Sequence, residues 1–421
     1  MYLVTNGRLI TRDPDGKGYY EHGAVAYEGS QIVEVGEESA LRAKYADAEI
    51  IDAKGGVIMP ALINAHTHIY SALARGLSIV GNNPTNFYEV LDGTWWAIDR
   101  HLMMDGTRAS ATALYMDSIK QGVTTIFDHH ASYGEIPGTL HTIAEESKRL
   151  GLRSCLCYEV SDRDGEEKCL QAIQENADFI SECEKNKDPM LAAMFGGHAL
   201  FTISDKTFDR MVEANNGRTG YHIHVSEGMN DVYDSLQNYG RRPVQRLQDH
   251  GILGEKTILG HCIHVNTAEM EIIKETDTMV VNNPESNMGN AIGICPVLQL
   301  HKRGILLGMG TDAYTNDMLE SLKVALCFQP TLGRQPELPA QCGLVRGHGY
   351  AVQKQRQDRR EVLPRHPGRA EGRRRRRHHR DGLQALHPLL RREYRRPHDL
   401  RHDRPPVPDH HCRRQAADEG S

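Results

Sequence analysis

The chain has 421 residues, 39% of them hydrophobic, with 50 Lys and Arg against 56 Asp and Glu, which allows one large domain with a sizeable core and a smaller one beside it. No run of roughly 18 apolar residues occurs, and the first ten residues carry no basic segment ahead of an apolar core; the expectation is a cytoplasmic protein without a transmembrane helix or a membrane partner. The nine cysteines, an odd number with no Cys-x-x-Cys pair, argue against a disulfide framework and against a zinc ribbon.

In chain order, residues 2–10, 24–27 and 31–35 read as short strands separated by Gly, Asp and Ser turns, giving a small β module over residues 1–57. An apolar run broken by Pro60 then leads into His66 and His68. On an extended strand this i, i+2 spacing turns both imidazoles to one side, so a single strand can offer two nitrogens to one metal ion. Beyond His66, strand-like runs at 123–127, 153–160, 190–195, 220–225, 257–259, 278–281 and 305–310 alternate with helical stretches such as 107–120, 140–150 and 166–184. The pair Trp95-Trp96 falls in a long insertion after the strand that carries His66 and His68, and core packing outweighs a substrate lid as its reading. About eight strand-helix units over roughly 250 residues match an α/β fold of the (β/α)8 TIM-barrel type, with its chemistry at the C-terminal strand ends. The barrel is expected over residues 58–329.

Metal-ligand side chains stand at those expected ends: His222, His224 and Glu227 after one strand, His261 after the next, Asp312 after the last. Imidazole and carboxylate suit zinc or ferrous iron. Each residue alone reads as readily as a satisfied polar group or a helix cap; their placement at successive strand ends is what points to a metal centre.

The set His66-x-His68, His224-x-x-Glu227, Gly260-His261-Cys262, Asn283-Pro284-x-Ser286-Asn287 and Gly310-Thr311-Asp312 resembles the amidohydrolase superfamily. Within it the chain is similar to the deaminase and chlorohydrolase branch, and the runs around Phe127-Asp128-His129-His130 and Cys157-Tyr158-Glu159 look like the SsnA-type aminohydrolases. Two departures are Ala61, where the family usually has glycine, and Asn282, where relatives often have histidine. The resemblance implies that His66, His68, His224 and Asp312 bind one divalent ion, Zn2+ or alternatively Fe2+. It further implies that Glu227 is the proton shuttle, that His261 orients the attacking water with Asp312, and that His198, His129, His130 and Asn287 are candidates for substrate contact; of the adjacent pair, at most one histidine faces inward if both are extended. Binuclear relatives bridge two ions with a lysine on the fourth strand, and residues 190–201 contain none, so one ion is expected.

The implied activity is hydrolytic release of ammonia from an amino-substituted N-heterocycle, with dehalogenation of a similar ring as the enzymatic alternative. The substrate is a small molecule, no nucleic-acid partner is expected, and a homo-oligomer is compatible with the sequence. Residues 330–421 depart from the family: from residue 331 on they hold 22 Lys and Arg against 11 Asp and Glu and no Ile, Phe, Met or Trp, a composition that cannot build a core. Back-translated and read one nucleotide later, parts of this tail permit strings similar to the family's C-terminal segment. The expectation is an out-of-frame, disordered tail, with the closing strands of the N-terminal β-sandwich module missing. The competing reading is a catalytically inactive metal- or nucleic-acid-binding product whose basic tail is its function.

Overall fold

A computed structural model describes the backbone of residues 1–13 and 16–332 and the side chains through residue 327; the expectations for residues 330–421 fall outside this range beyond residue 332. The chain opens with strands β1 (Tyr2–Ile10), β2 (Tyr19–Glu28), β3 (Gln31–Glu37), β4 (Glu49–Asp52) and β5 (Val57–Ile58), with a short helix Glu38–Lys44 between β3 and β4. They form one sheet in the order β3-β2-β1-β4, with β5 also on β1. Alternation along β2 and along β1, the latter reset by irregularities between Val4 and Leu9, sends Val4, Leu9, Val25 and Tyr27 to one face with Ile32 and Ile58, and Leu3, Ala24 and Ala26 to the other, where Leu41 of the helix covers them. β2 starts earlier than its apolar run because its polar first half continues the antiparallel ladder with Leu9 and Ile10.

Nine parallel strands follow: β6 (Leu62–Thr67), β7 (Val123–His130), β8 (Arg153–Tyr158), β9 (Leu191–Ala193), β10 (Phe195–Ala199), β11 (Tyr221–Val225), β12 (Ile258–His261), β13 (Met279–Asn282) and β14 (Leu307–Met309). They pair in sequence order as β6-β7-β8-β9 and β10-β11-β12-β13-β14. The run expected as one strand at 190–195 is divided because its halves hydrogen-bond different neighbours, β9 to β8 and β10 to β11. Isolated bridges Val160↔Gly197 and Thr67↔Asp312 link the two sheets at both of their ends. The second link is reinforced where the N–H groups of Thr311 and Asp312 both donate to the His66 carbonyl, at 2.9 and 3.0 Å.

Period-two alternation divides the strand side chains between two layers. Ile63, Ala65, Phe127, Cys155, Cys157, Ala192, Met194, Ile258, Met279 and Val281 form one buried cluster. Ile126, Leu156, Ile223, Leu259, Val280 and Leu307 belong to the larger cluster shared with the helices, including Leu114, Ile143, Phe179 and Phe208. At roughly 25 cal/mol per Å2 of apolar surface, these two layers supply the main favourable term for folding. The inserted segment between β6 and the helix Met104–Lys120 carries a short helical run ending in the helix Trp96–His101. No described helix is long and apolar enough to cross a membrane.

Candidate active site

One local irregularity sets the site. Along β6 the register with β7 shifts between Asn64↔Ile126 and Thr67↔Asp128, so three steps on β6 match two on β7. An extra residue reverses the alternation: Ile63 and Ala65 sit in the buried inner cluster, and His66 and His68, of the opposite parity, reach the cluster of ligand side chains at the strand ends. Asp128 then fixes the turn, its Oδ1 accepting from the Ile69 N–H at 2.6 Å.

The structure brings His66, His68, His224 and Asp312 together. His68 Nε2 lies 2.9 Å from Asp312 Oδ1 and 3.2 Å from His224 Nε2, and His66 Nε2 lies 4.0 Å from Asp312 Oδ1. His261 Nε2 stands 3.7 Å from Asp312 Oδ2 and 3.6 Å from Glu227 Oε1. Asp312 and His261 hold left-handed backbones, at φ 54° and 66°, a cost that non-glycine residues bear where the surroundings impose it, often at functional sites. Gly310 lets β14 approach this closely, since a Cβ there would meet Asn283 Oδ1 at 2.4 Å and the His66 carbonyl at 2.6 Å.

Hydrogen-bond partners fix the tautomers. His68 Nδ1 and His224 Nδ1 face the backbone carbonyls of His129 and His198 at 2.6 and 2.7 Å, and His261 Nδ1 faces Asn287 Oδ1 at 2.8 Å. A carbonyl oxygen only accepts, so each Nδ1 carries the proton; Nε2 of His224 and of His261 is then free to turn a lone pair inward, while Nε2 of His68 is hydrogen-bonded to Asp312 through a proton that a bound ion would displace. His66 Nε2 is buried without a hydrogen-bond partner. Burial, reinforced by neighbouring histidines, holds His66 and His224 far below the ordinary imidazole range, keeping them neutral. Burial would raise Asp312, but His68 beside it keeps its carboxyl down at about 2. A donor set of three imidazole nitrogens and one carboxylate fits a divalent ion. Glu227 differs: burial, with Asp312 adding to it, pushes its pKa well above the carboxylate range.

The remaining candidates are placed differently from one another. His198 lines the pocket in front of the cluster, its ring next to Trp96. His129 packs against His222 and His224 inside the cluster, whereas its neighbour His130 is buried beside Tyr70 and Tyr158, as the alternation of a strand requires. Asn287 reaches His261, and its amide donates to Asn282 at 3.1 Å. Trp95 and Trp96 both line the pocket, together with Tyr70, Phe201 and Tyr314, so the indoles form its wall in addition to packing against neighbours. Sequence reasoning gave no role to Glu159, which stands in the pocket wall one residue past β8. The rule that located the other ligands, a polar residue just past a strand end, would have found it.

A buried set of imidazoles and carboxylates at the ends of parallel strands defines a metal-dependent hydrolase, and the chain belongs to the amidohydrolase family, whose sequence profile matches residues 57–339. It is accordingly an enzyme that hydrolyses carbon–nitrogen bonds other than peptide bonds. Among its relatives, the 5'-deoxyadenosine deaminase of Methanosarcina acetivorans is 29% identical over 344 residues, covering 80% of this chain and 76% of that protein. The 5-methylthioadenosine/S-adenosylhomocysteine deaminase of Syntrophobacter fumaroxidans is 31% identical over 313 residues, covering 74% and 68%. In fold the chain is similar to an adenosine deaminase from Xanthomonas campestris crystallised with bound zinc, with a TM-score of 0.70 at 22% identity, covering 86% of this chain and 80% of that one.

Proposed function

We propose that this protein is a mononuclear zinc aminohydrolase that releases ammonia from an amino-substituted N-heterocycle. Residues 58–329 are read as a closed (β/α)8 barrel behind a β module of residues 1–57, a reading supported by the two bridges that join the parallel sheets. The observation that carries the function is the convergence of His66, His68, His224 and Asp312, with Glu227 and His261 on one side of them. Deamination is favoured over dehalogenation because the relatives at 29–31% identity named above are deaminases.

A divalent ion held by the four ligands supplies Lewis-acid activation of water, moving the pKa of that water toward ~7. Asp312 and His261, 3.7 Å apart, both reach the position of the attacking water and orient it. Glu227, whose carboxyl burial pushes well above the usual carboxylate range, donates its proton to a ring nitrogen as the water oxygen adds to the adjacent carbon. It then accepts the proton lost by the water and passes it to the departing amine. General acid-base help of this kind contributes ~10²- to 10⁴-fold. The indole and phenol rings of Trp95, Trp96, Tyr70 and Tyr314 along the pocket suit a planar ring.

The test is an ammonia-release screen of the zinc-loaded protein over aminopurines, aminopyrimidines and aminotriazines, with chlorinated rings in parallel. Ammonia from at least one aminated ring, abolished by chelation and restored by zinc, is the expected result. Halide release without ammonia would replace deamination by dehalogenation, and neither product from any ring would contradict the proposal.

A further inference from the structure

Outside the residues assigned above, one buried carboxylate in the pocket wall has no role. Glu159 is fixed through its backbone: its N–H donates to the His130 carbonyl at 2.8 Å, and its own carbonyl accepts from the Tyr133 hydroxyl at 2.7 Å. Its side chain is 2% exposed and lines the same pocket as Glu227. No hydrogen bond reaches its Oε1.

The protons of the surrounding rings explain why. His68 Nδ1 and His129 Nδ1 each lie 3.3 Å from Oε1, and His198 Nε2 lies 3.8 Å from Oε2. The His68 Nδ1 proton is directed to the His129 carbonyl. His129 donates from Nε2 to the His222 carbonyl at 3.0 Å, and its Nδ1 makes no hydrogen bond. The Thr202 hydroxyl donates to the Ala199 carbonyl, so it accepts from His198 Nδ1, and His198 Nε2 is a lone pair whose donor is a long 3.5 Å contact from the Trp96 indole. The buried carboxylate thus has ring nitrogens close on three sides but no hydrogen bond to Oε1. Such a group is unfavourable when buried unless a donor enters among them.

We propose that Glu159 is a specificity-determining residue: with His198 it receives a hydrogen-bond-donating edge of the substrate ring, an N–H or amino group remote from the reacting carbon. The enzyme thereby selects heterocycles with a second nitrogen donor over those whose only amine is the one removed. This rests on the deaminase reading. Trp96 and Phe201, whose rings both approach His198, hold the ring plane while the carboxylate reads its edge. A site built to pair with a donor discriminates strongly against an analogue lacking it, because the buried acceptor is then left empty.

9-Methyladenine and 9-methyl-2,6-diaminopurine provide the test, since both present a 6-amino group, the methyl group removes the imidazole N–H from each, and only the second then carries a further nitrogen donor. Binding of each to the zinc-loaded full chain is measured by calorimetry, alongside kcat, KM and metal content, in the wild type and in Glu159→Gln. The glutamine amide can donate to the bare imidazole nitrogens, so this variant is expected to fold and keep its ion. The wild type should bind 9-methyl-2,6-diaminopurine roughly ten- to hundredfold more tightly than 9-methyladenine, and the variant should bring the two within about twofold, through KM more than kcat. Equal binding of the two purines by the wild type, binding of neither, or a preference that survives in the variant would overturn the proposal. Loss of zinc in the variant would overturn it too, by assigning the carboxylate to the metal. The deaminase reading fails separately, by absence of ammonia from the wild type even where the binding preference is present.

Discussion

Replacing Asp99 with alanine tests how the aromatic wall of the pocket is held in place. Asp99 lies in the helix Trp96–His101, 1% exposed, with both carboxylate oxygens on the Arg163 guanidinium, Oδ1 at 3.3 Å from Nη1. That guanidinium is stacked 5.1 Å from the Trp96 ring and 4.3 Å from the Tyr133 ring. Burial pushes the Asp99 carboxyl up to about 7 against the pull of Arg163, so the pair as a whole is no large net stabiliser. Breaking it is another matter, because a lone buried charge costs about 3–5 kcal/mol. Asp164, 3.4 Å from Arg163 Nη1, can take over part of the pairing, which puts the expected loss near the lower end, about 3 kcal/mol. Urea unfolding followed by tryptophan emission and by circular dichroism measures it, and KM for the best substrate should rise as the Trp96 wall loosens. A loss under about 1 kcal/mol with unchanged emission and KM would refute the reasoning.

Glu227→Gln should keep the ion and largely keep substrate binding while cutting kcat by roughly 10²-fold or more, since only the proton carrier is removed; metal analysis showing loss of the ion would make Glu227 a ligand instead. Gly310→Ala should abolish metal retention or folding, because its Cβ would meet the His66 carbonyl at 2.6 Å, and a variant with full zinc content would contradict the close approach. Acid should destabilise the ion-free protein. His66, His222 and His224 are held far below the ordinary range by burial, and burial takes His198 and His130 down to about 3. Each takes up a proton near pH 6.5 only on unfolding, so stability falls as the pH drops from 6.5 toward about 3, by up to about 1.4 kcal/mol per histidine per pH unit. His68 acts oppositely: burial lowers it, but Asp312 lifts it to about 9, and its stabilisation is lost as the pH rises from 6.5 through 9. Melting of chelated protein between about pH 4 and pH 8 checks the sign, and a melting temperature that does not fall toward pH 4 would contradict it.

Much of the fold could be read from periodicity, because buried parallel strands such as residues 123–127, Val-Thr-Thr-Ile-Phe, are short β-branched and aromatic runs between helical patterns. The strand at 190–195 was harder, since which neighbour a strand pairs with is decided by long-range contacts, here β8 for one half and β11 for the other. His66 and His68 were legible as a pair from their spacing, but the bulge that turns them inward depends on the register with β7 and leaves no mark in the local sequence. Trp96 was read mainly as core, because hydrophobicity alone does not separate a buried ring from one lining a pocket. Glu159 was passed over for a related reason: its meaning comes from His129 and His198, distant in sequence, whose ring nitrogens pack against it.

The central claim is that His66, His68, His224 and Asp312 hold one catalytic ion. Elemental analysis of the purified full chain after dialysis against zinc, set beside the double variant His66→Ala with Asp312→Asn, tests it most directly. About one zinc per chain in the wild type and less than roughly a tenth of that in the variant is the predicted result. Two ions in the wild type, or one ion still bound by the variant, would contradict it.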